Sequence, residues 1–215
     1  MKFVIIGGTG DLGFGLALRL ANNGYSVVIG SRSKEKAESA ANEIKEKVGA
    51  KDILGMVNAE AVKLGDIIAL SVPSSARKST LDTIKPYLHG KILLDVTVPL
   101  TPGNITKYNQ PEAGSNAEET QSIVGEDVKV VAGFHTVSAI LLSDLNKEMD
   151  GDLLIAGDDA KAKEVISDMV KKIGLRSFDA GPLYQARTLE GLTPIIISLN
   201  KKYKKRHIGI KLTGI

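Results

Sequence analysis

The distribution of apolar and polar positions predicts buried strands separated by amphipathic helices. Short, nearly continuous apolar runs, of the kind found in strands covered on both faces, occur near residues 2–7, 26–30, 67–72, 91–96, 128–133, 152–157 and 175–179. A shorter run over 53–57 predicts a further strand, and Asn58 after it predicts the start of a short helix. Between the runs, apolar residues recur at helical spacing over 37–48 and 165–173. Strands that alternate with helices predict an α/β fold with a mainly parallel sheet.

The alternation is interrupted after the fifth long run. Residues 98–114 contain three prolines and two glycines, and they predict a long loop over the carboxyl edge of the sheet. Ser115 and Glu118 have the spacing of a capping box, which predicts a helix directly after this loop.

The pattern after Gly133 predicts a smaller C-terminal α/β part. It begins with a helix near 137–149 and continues with a strand-helix-strand unit. The last apolar stretch covers 183–203, and Pro194 within it predicts a helix that is kinked or split in two at Thr193.

A glycine-rich segment follows the first predicted strand. Its glycines have the spacing GxGxxG, and Leu16 and Leu20 after them mark the buried face of a helix. Such glycines permit a tight turn, let a pyrophosphate approach the backbone and let helix and strand pack closely. A purely structural turn is the alternative. The predicted fold is therefore Rossmann-type and doubly wound, and the loop supplies the candidate dinucleotide contacts: Gly8, Thr9, Gly10, Asp11, Leu12 and Gly13.

The end of the second predicted strand indicates which dinucleotide binds. An NAD-binding protein usually has Asp or Glu there to hold the ribose 2′-hydroxyl, and no acid is present. Hydroxyl and cationic donors follow instead: Ser31, Arg32, Lys34 and Lys36. These donors suit a 2′-phosphate, with Thr9 as a further hydroxyl, and they favour NADP. A helix N-cap at Ser31 or Ser33, with solvated lysines beyond it, is the alternative and is compatible with NADP binding.

Composition excludes several classes of protein. The 215 residues include no cysteine, which excludes thiol catalysis and disulfides, and only three histidines without metal-site spacing. The net charge of +3 does not indicate a nucleic-acid-binding protein. No apolar run is long enough to span a membrane, and no secretion signal is evident at the start. We therefore expect a cytoplasmic protein with neither a nucleic-acid partner nor a membrane partner.

The loops after the carboxyl ends of the strands are the expected place for a second reactant. None of them pairs a nucleophile with a base. His135 is the best single candidate for acid/base chemistry or hydrogen bonding, and a tether to the next helix is its alternative role. Asp95 and Asp179 are expected to be structural hydrogen-bonding acids. So few catalytic groups favour hydride transfer, which depends on stacking and orientation more than on side-chain chemistry.

Seven segments together resemble one known family, the archaeal coenzyme F420-dependent NADP reductases. The segments are GGTGDLGFGLALRLA, IGSRSKEKA, SVPSSA, VTVPL, SNAEETQ, GFHTVSA and DAGPLYQARTLEGLTP. They extend over essentially the whole chain. The resemblance implies a homodimer in which hydride passes directly between C4 of the nicotinamide and C5 of the deazaflavin, without a covalent intermediate.

The resemblance also implies a division of the chain and roles for individual residues. An NADP-binding Rossmann domain would cover 1–135, and a small domain over 136–215 would close the cleft and contribute to dimerisation. The 2′-phosphate would be held by Thr9, Ser31, Arg32 and Lys36. The two rings would be surrounded by Val72, Pro73, Val98, Pro99, His135 and Thr193.

The chain departs from the resemblance in two places. Ser74 follows Pro73 where relatives tend to have tryptophan, and the loop over 103–114 is unlike theirs. These departures leave FMN, FAD or another small acceptor open as alternatives to F420. The basic run over 201–206 either attracts the phosphate and glutamate tail of the deazaflavin or is a solvated face.

Two other classes of function remain open from the sequence alone. One is an NADPH-dependent flavin or ferric reductase, because a related domain serves that role in membrane ferric reductases. The other is a non-enzymatic NADPH sensor, in which the nucleotide controls binding to a protein partner.

Overall fold

The computed structural model describes residues 1–215 and contains ten strands and eight α-helices. The strands are β1 (Lys2–Ile6), β2 (Ser26–Ser31), β3 (Ile53–Val57), β4 (Ile67–Leu70), β5 (Ile92–Asp95), β6 (Leu100–Thr101), β7 (Asn104–Tyr108), β8 (Lys129–Ala132), β9 (Asp152–Gly157) and β10 (Arg176–Asp179). The helices are α1 (Asp11–Asn22), α2 (Lys34–Val48), α3 (Asn58–Ala61), α4 (Ser74–Ile84), α5 (Asn116–Val124), α6 (Ala139–Ser143), α7 (Ala160–Lys172) and α8 (Ala186–Lys202). Short 3₁₀ turns follow α3 and α4 and precede α8.

Eight of the strands form one sheet in the order β10-β9-β8-β5-β4-β1-β2-β3. All neighbours are parallel except β8 and β9, which are antiparallel. The predicted Rossmann-type, mainly parallel fold is confirmed. The chain builds outward from β1 to β3 and then returns to place β4 on the other side of β1. The crevice at the carboxyl ends of β1 and β4 is therefore the switch point where ligands bind in such sheets.

Helices cover both faces of the sheet, because the central strands are apolar on both sides. Ile5 and Ile29 face one layer, where Leu16, Leu20 and Ile44 from α1 and α2 complete a continuous buried cluster. The opposite layer includes Val4, Ile68, Leu81, Ala117 and Leu189. This double cover fixes the positions of the strand ends, and hence of the loops after them. No helix is both long enough and apolar enough to cross a membrane.

The residues after 135 extend the same sheet. β9 pairs with β8, and β10 continues the edge beyond it. α7 packs over these strands through Ile166, Met169 and Val170. The division of the chain at residue 135 stays a prediction.

The segment predicted as a long loop contains a hairpin. β6 and β7 pair antiparallel around Gly103, whose φ of +76° suits the turn. Most side chains of β7 are exposed, so the run lacks the apolar signal of a buried strand. The expected helix after Ser115 is present as α5, and Ser115 Oγ accepts a hydrogen bond from the Glu118 N–H at 3.1 Å.

The helix predicted near 137–149 is much shorter than expected. α6 ends at Ser143, and the backbone beyond it leaves helical geometry. The Arg19 side chain explains the early end, because its guanidinium donates to the carbonyls of Leu141, Leu142, Asp144 and Lys147. These carbonyls are thus satisfied without a continuing helix.

Of the two outcomes expected at Thr193, a helix split in two is wrong, and a kink stays a prediction. The helix continues from Ala186 to Lys202 with Pro194 inside it. Proline removes the backbone donor that would serve the carbonyl of residue 190, and one turn later Ser198 Oγ donates to the Pro194 carbonyl at 2.7 Å. Burial of Leu189 and Ile196 anchors the helix on both sides of the proline.

Candidate cofactor-binding site

Three glycines in the segment between β1 and the first turn of α1 are packed too closely for a side chain. Gly7 has a φ of +82°, and a Cβ there would lie 2.3 Å from the Ser71 carbonyl oxygen after β4. A Cβ on Gly13 would lie 2.7 Å from the Gly7 carbonyl oxygen, and one on Gly8 would lie 3.0 Å from Ile29. Gly13 is thus a packing position, as predicted for the third motif glycine. Gly8, expected to permit the tight turn, is a packing position as well and has no positive φ. Gly7, outside the GxGxxG spacing, is the residue whose conformation most requires glycine, and only the doubled glycine signals it in the sequence.

The N-terminus of α1 opens into the crevice without a side-chain cap. Gly10 is the N-cap residue, and no side chain accepts a hydrogen bond from the first turn. The unpaired N–H groups and the positive end of the helix dipole make this a site for an anion. A pyrophosphate fits the absence of a cap and the absence of Cβ atoms around it.

A polar cavity of about 380 Å³ lies between this loop and the end of β2. It contains the four residues expected around a 2′-phosphate, namely Thr9, Ser31, Arg32 and Lys36. Arg32 and Lys36 are exposed, and the Arg32 side chain has no hydrogen-bond partner within the protein. Lys34, also considered from the sequence, does not line this cavity and lies 3.8 Å from Glu38 on the next turn of α2.

Ser31 and Ser33 have different roles, which the sequence left open. Ser33 is the N-cap of α2, and its Oγ accepts from the Lys36 N–H at 3.2 Å. Ser31 is buried, and its Oγ accepts from the Ser33 N–H at 3.3 Å. Its hydroxyl hydrogen remains available for a ligand in the polar cavity.

Asn58 is a site residue that sequence reasoning missed. It lies directly after β3, lines the polar cavity, and its Oδ1 atom is buried without a hydrogen-bond partner. An unpaired buried acceptor is costly unless a ligand or water donates to it. The sequence shows only a polar residue at a strand end, without any signal that its oxygen is unpaired.

A second, more apolar cavity of about 510 Å³ adjoins the first. The two cavities share Gly10, Ser71, Val72 and Pro73, so a ligand can extend from one into the other. The second cavity brings together five of the six residues expected around the rings: Val72, Pro73, Val98, His135 and Thr193. Asp11 and Leu12, predicted as dinucleotide contacts of the glycine-rich loop, line it as well. Pro99, also predicted there, lines neither cavity.

His135 is held rigidly but makes no side-chain hydrogen bond. Thr193 Oγ1 donates to the His135 carbonyl at 2.7 Å and thereby joins α8 to the loop after β8. The imidazole is 7% exposed, and neither ring nitrogen has a partner. Desolvation lowers the pKa of His135 to about 4. At neutral pH the ring is therefore uncharged and offers one donor and one acceptor, which favours hydrogen bonding over acid catalysis.

A buried polar network supports one wall of the apolar cavity. Asp95 accepts hydrogen bonds from Thr97 Oγ1 and Thr120 Oγ1, both at 2.6 Å, and burial raises the pKa of this carboxyl group. Asn116 Nδ2 donates to Thr97 Oγ1 at 2.9 Å and to Ser74 Oγ at 3.1 Å. Thr97 and Ser74 line the cavity, so the network fixes their hydroxyl groups. Asp95 is a structural hydrogen-bonding acid, as expected.

Asp179 also has the expected structural role. Its carboxylate accepts from Lys163 Nζ and from the Gly181 N–H, both at 2.8 Å. Although burial acts to raise the pKa of Asp179, these hydrogen bonds leave it below its usual value. The residue lies outside both cavities.

Proteins of known function that are similar to this chain in sequence include reductases named for the kind of cofactor that these cavities suit. A family model described as NADP oxidoreductase coenzyme F420-dependent matches residues 2–99. The F420-dependent NADP reductase of Methanocaldococcus jannaschii is 43% identical over 100% of this chain and 99% of its own length. The rat protein Metalloreductase STEAP3 is 32% identical over 86% of this chain, which corresponds to 35% of its own length.

Solved structures extend the agreement to the fold. A crystal structure from Arthrobacter sp. FB24, of a protein assigned as an F420-dependent NADP reductase, has a TM-score of 0.85 at 24% identity and covers 99% of both chains. At that identity the likeness supports the fold alone. The end-to-end match to the M. jannaschii protein carries the assignment, and the chain therefore belongs to the family of F420-dependent NADP reductases.

Proposed function

We propose that this protein transfers a hydride between NADP(H) and coenzyme F420. The observation that carries the proposal is the pair of adjoining cavities at the sheet's switch point, one polar and cationic and the other largely apolar. The first matches the phosphorylated adenosine end of NADP, and the second has room for a nicotinamide beside a second ring system. The family relatives that match end to end are named for this reaction.

The polar cavity supports the choice of NADP over NAD. Arg32 and Lys36 present two unpaired cations there, and Ser31 and Thr9 present hydroxyl groups. No carboxylate lines the cavity to accept from a ribose 2′-hydroxyl. The Arg32 guanidinium suits a phosphate dianion because its donors form a planar fork.

The apolar cavity supports direct transfer between two rings. When both are bound there, the two cofactors would supply the chemistry: hydride exchange between C4 of the nicotinamide and C5 of the deazaflavin, with one proton from the solvent taken up when F420 is reduced. Val72, Pro73 and Val98 supply apolar surface against which rings can lie. His135 and Thr193 stand at the same cavity, where a neutral imidazole can hydrogen-bond to a ring carbonyl or ring nitrogen. The side chains thus align the reactants, and alignment is the main requirement of hydride transfer.

The two alternatives have less support. The metalloreductase match covers only about a third of that relative, at lower identity than the end-to-end match to the archaeal reductase. A pure sensor would need only the nucleotide cavity, whereas a second cavity large enough for another ring system adjoins it here.

Two further parts of the proposal come from the sequence resemblance. They are a boundary near residue 135 between an NADP-binding part and a part that closes the cleft, and a homodimer to which the C-terminal part contributes. A cytoplasmic location, expected from the composition of the sequence, is a third part of the proposal. Light scattering of the purified protein tests the dimer.

Mixing NADPH with oxidised F420 tests the proposed reaction. We expect the visible absorption band of oxidised F420 to disappear in the presence of the protein, with NADPH consumed in equal amount. Parallel mixtures contain FMN, FAD or a ferric chelate in place of F420. Faster reduction of a flavin or ferric iron would favour the second function, and tight NADPH binding without any turnover would favour the sensor.

A further inference from the structure

Two of the six arginines have no partner within the protein. Arg77, Arg176 and Arg187 form ion pairs with Glu119, Asp152 and Glu118, and Arg19 donates to four backbone carbonyls. The side chains of Arg32 and Arg206 make no ion pair or hydrogen bond. Each lines one of the two cavities, Arg32 the polar one and Arg206 the apolar one.

The position of Arg206 is set by its backbone. The Arg206 carbonyl accepts from Ser138 Oγ at 3.1 Å, and the Ile208 N–H donates to Asn200 Oδ1 at 3.1 Å. These bonds hold the chain after α8 across the mouth of the apolar cavity, which Asn200 and Ile208 also line. The guanidinium is therefore placed at the rim although the side chain itself is exposed.

The surroundings of Arg206 have a strong excess of positive charge. Residues 191–215 contain six Lys and Arg residues and no acid, whereas residues 1–190 contain 22 basic and 25 acidic residues. Of the six, Lys211 pairs with Asp150, and the other five lie within 201–206. The net positive charge of the sequence is thus concentrated in the run that ends at Arg206, the residue of this run that lines the apolar cavity. Such a run attracts anions over a Debye length of about 10 Å.

The two cavities determine which ligand reaches this rim. NADP(H) extends from the polar cavity and enters the apolar cavity at their shared wall of Gly10, Ser71, Val72 and Pro73. A second ring molecule that lies against the nicotinamide would extend away from that wall. Asn200 and Arg206 line the apolar cavity outside the shared part, so the rest of the second molecule has an exit past them.

We propose that Arg206, with Lys205 beside it, binds the anionic tail of the deazaflavin, that is, its phosphodiester and carboxylate groups. The inference rests on the proposed function, and it adds a subsite that selects the complete coenzyme over its phosphate-free nucleoside. An Arg side chain pairs with a phosphodiester through two parallel N–H donors, and Lys205 adds a point charge for the carboxylates. Arg32 and Arg206 would then hold the anionic ends of the two reactants on opposite sides of the reacting rings.

Steady-state kinetics with two acceptors test the subsite. The acceptors are F420 and the deazaflavin nucleoside that has the same ring but neither phosphate nor glutamate. For Arg206→Gln we expect the KM for F420 to rise about tenfold, while the KM for the nucleoside changes by less than about twofold. Added salt should raise the KM for F420 in the unchanged protein and have a weaker effect in the variant. Arg206→Lys should recover part of the selectivity.

The control is Lys161→Gln, which removes an exposed cation of α7 outside both cavities and should alter neither KM. Equal rises in both KM values for Arg206→Gln would assign the residue to the ring pocket and overturn the subsite. An unchanged KM for F420 would overturn it as well, while leaving the reductase function intact. Absence of turnover with both acceptors in the unchanged protein would instead overturn the proposed function, and the subsite with it.

Discussion

Glu190 on α8 and Tyr108 at the end of β7 meet in the interior, where Glu190 Oε2 lies 3.1 Å from the Tyr108 hydroxyl oxygen. The same carboxyl group accepts hydrogen bonds from the N–H groups of Asn116 and Ala117, at 2.9 and 3.0 Å. Glu190 thus joins three elements: the hairpin, the N-terminus of α5 and α8. Asn116 in turn fixes the hydroxyl groups of Thr97 and Ser74, so this carboxyl group supports the wall of the apolar cavity.

Glu190 should make stability depend on pH in an unusual direction. Burial raises the pKa of Glu190 to about 8, whereas in the unfolded chain it is about 4.3. Between these values the unfolded chain loses a proton that the folded protein keeps, so stability falls as the pH rises and levels off above about 8. In the Glu190→Gln variant the side chain at this position cannot ionise, so this contribution to the pH dependence is absent. From pH 5 to pH 8, the free energy of unfolding of the unchanged protein should fall by about 2–4 kcal/mol relative to the variant.

Urea unfolding at several pH values measures this difference. A constant difference between the two proteins over the whole range would contradict a protonated Glu190. The structure offers a way to hold that proton, because the Tyr108 hydroxyl also lies 3.4 Å from the Gly114 carbonyl oxygen. A protonated Glu190 can donate to Tyr108, whose own hydrogen then turns to Gly114.

Gly7→Ala should be far more damaging than Gly24→Ala. Both glycines have a positive φ, +82° and +77°, so each substitution costs about 1–2 kcal/mol in backbone strain. A Cβ on Gly24 meets nothing within 4 Å, whereas one on Gly7 collides with the Ser71 carbonyl. We expect Gly7→Ala to lose roughly 1–3 kcal/mol more, because β1 and β4 must move apart. Thermal unfolding of the two variants should show the difference, and equal losses would contradict the close approach.

Most strands of the sheet could be predicted from local sequence, because each central strand is buried on both faces and therefore consists of a continuous apolar run. The hairpin of β6 and β7 could not be predicted that way. Its strands are mostly exposed, and the contact that holds it joins Tyr108 to Glu190, which lies 82 residues further along the chain. The early end of α6 also depends on a distant residue. Arg19, more than 120 residues earlier in the chain, donates hydrogen bonds to the carbonyls at the end of this helix.

The candidate site was also predictable only where its residues have a local signal in the sequence. Ser31, Arg32 and Lys36 follow a strand whose end was recognisable, so their convergence with Thr9 could be anticipated from the motif. The placement of Arg206 at the cavity mouth depends on how the last residues fold back over α8. The unpaired oxygen of Asn58 depends on atoms from several elements. Neither has a signature in local sequence.

Arg19→Leu should loosen the segment around α6. The buried guanidinium donates to four backbone carbonyls, and its loss leaves three of them, those of Leu141, Leu142 and Lys147, without a donor. The Asp144 carbonyl keeps the N–H of Lys147. We expect the free energy of unfolding to fall by about 2–4 kcal/mol. Hydrogen exchange should accelerate over residues 139–147. Because Ser138 and Ala139 line the apolar cavity, the KM for F420 should rise as well. Unchanged exchange in this segment would show that the carbonyls do not depend on Arg19.

His135 should destabilise the folded protein in mild acid. Its pKa is lowered to about 4, against about 6.5 in the unfolded chain, so on acidification the unfolded chain gains a proton first. Stability is thus unaffected above about pH 6.5 and falls as the pH drops toward 4. Relative to His135→Gln, the unchanged protein should lose about 2 kcal/mol between pH 7 and pH 5. Chemical unfolding at the two pH values measures the loss, and an identical pH response of both proteins would indicate a solvated ring.

Arg32→Ala should remove much of the preference for the phosphorylated nucleotide. A charge-assisted hydrogen bond to a phosphate contributes about 1.5–3 kcal/mol, so calorimetry should show NADPH binding weakened by roughly one to two orders of magnitude. NADH lacks the 2′-phosphate, and its affinity should stay nearly the same. Lys34→Ala is the matched control, because Lys34 follows Arg32 by two residues, at the start of α2, but faces Glu38 instead of the polar cavity.

The control should bind both nucleotides as the unchanged protein does. If Arg32→Ala weakened NADPH and NADH equally, the guanidinium would be supporting the shared adenosine moiety or the fold of the loop after β2. If neither affinity changed, Lys36, Ser31 and Thr9 would suffice for the 2′-phosphate. Only a selective loss of NADPH affinity agrees with the role proposed here, in which the unpaired Arg32 guanidinium in the polar cavity binds the 2′-phosphate.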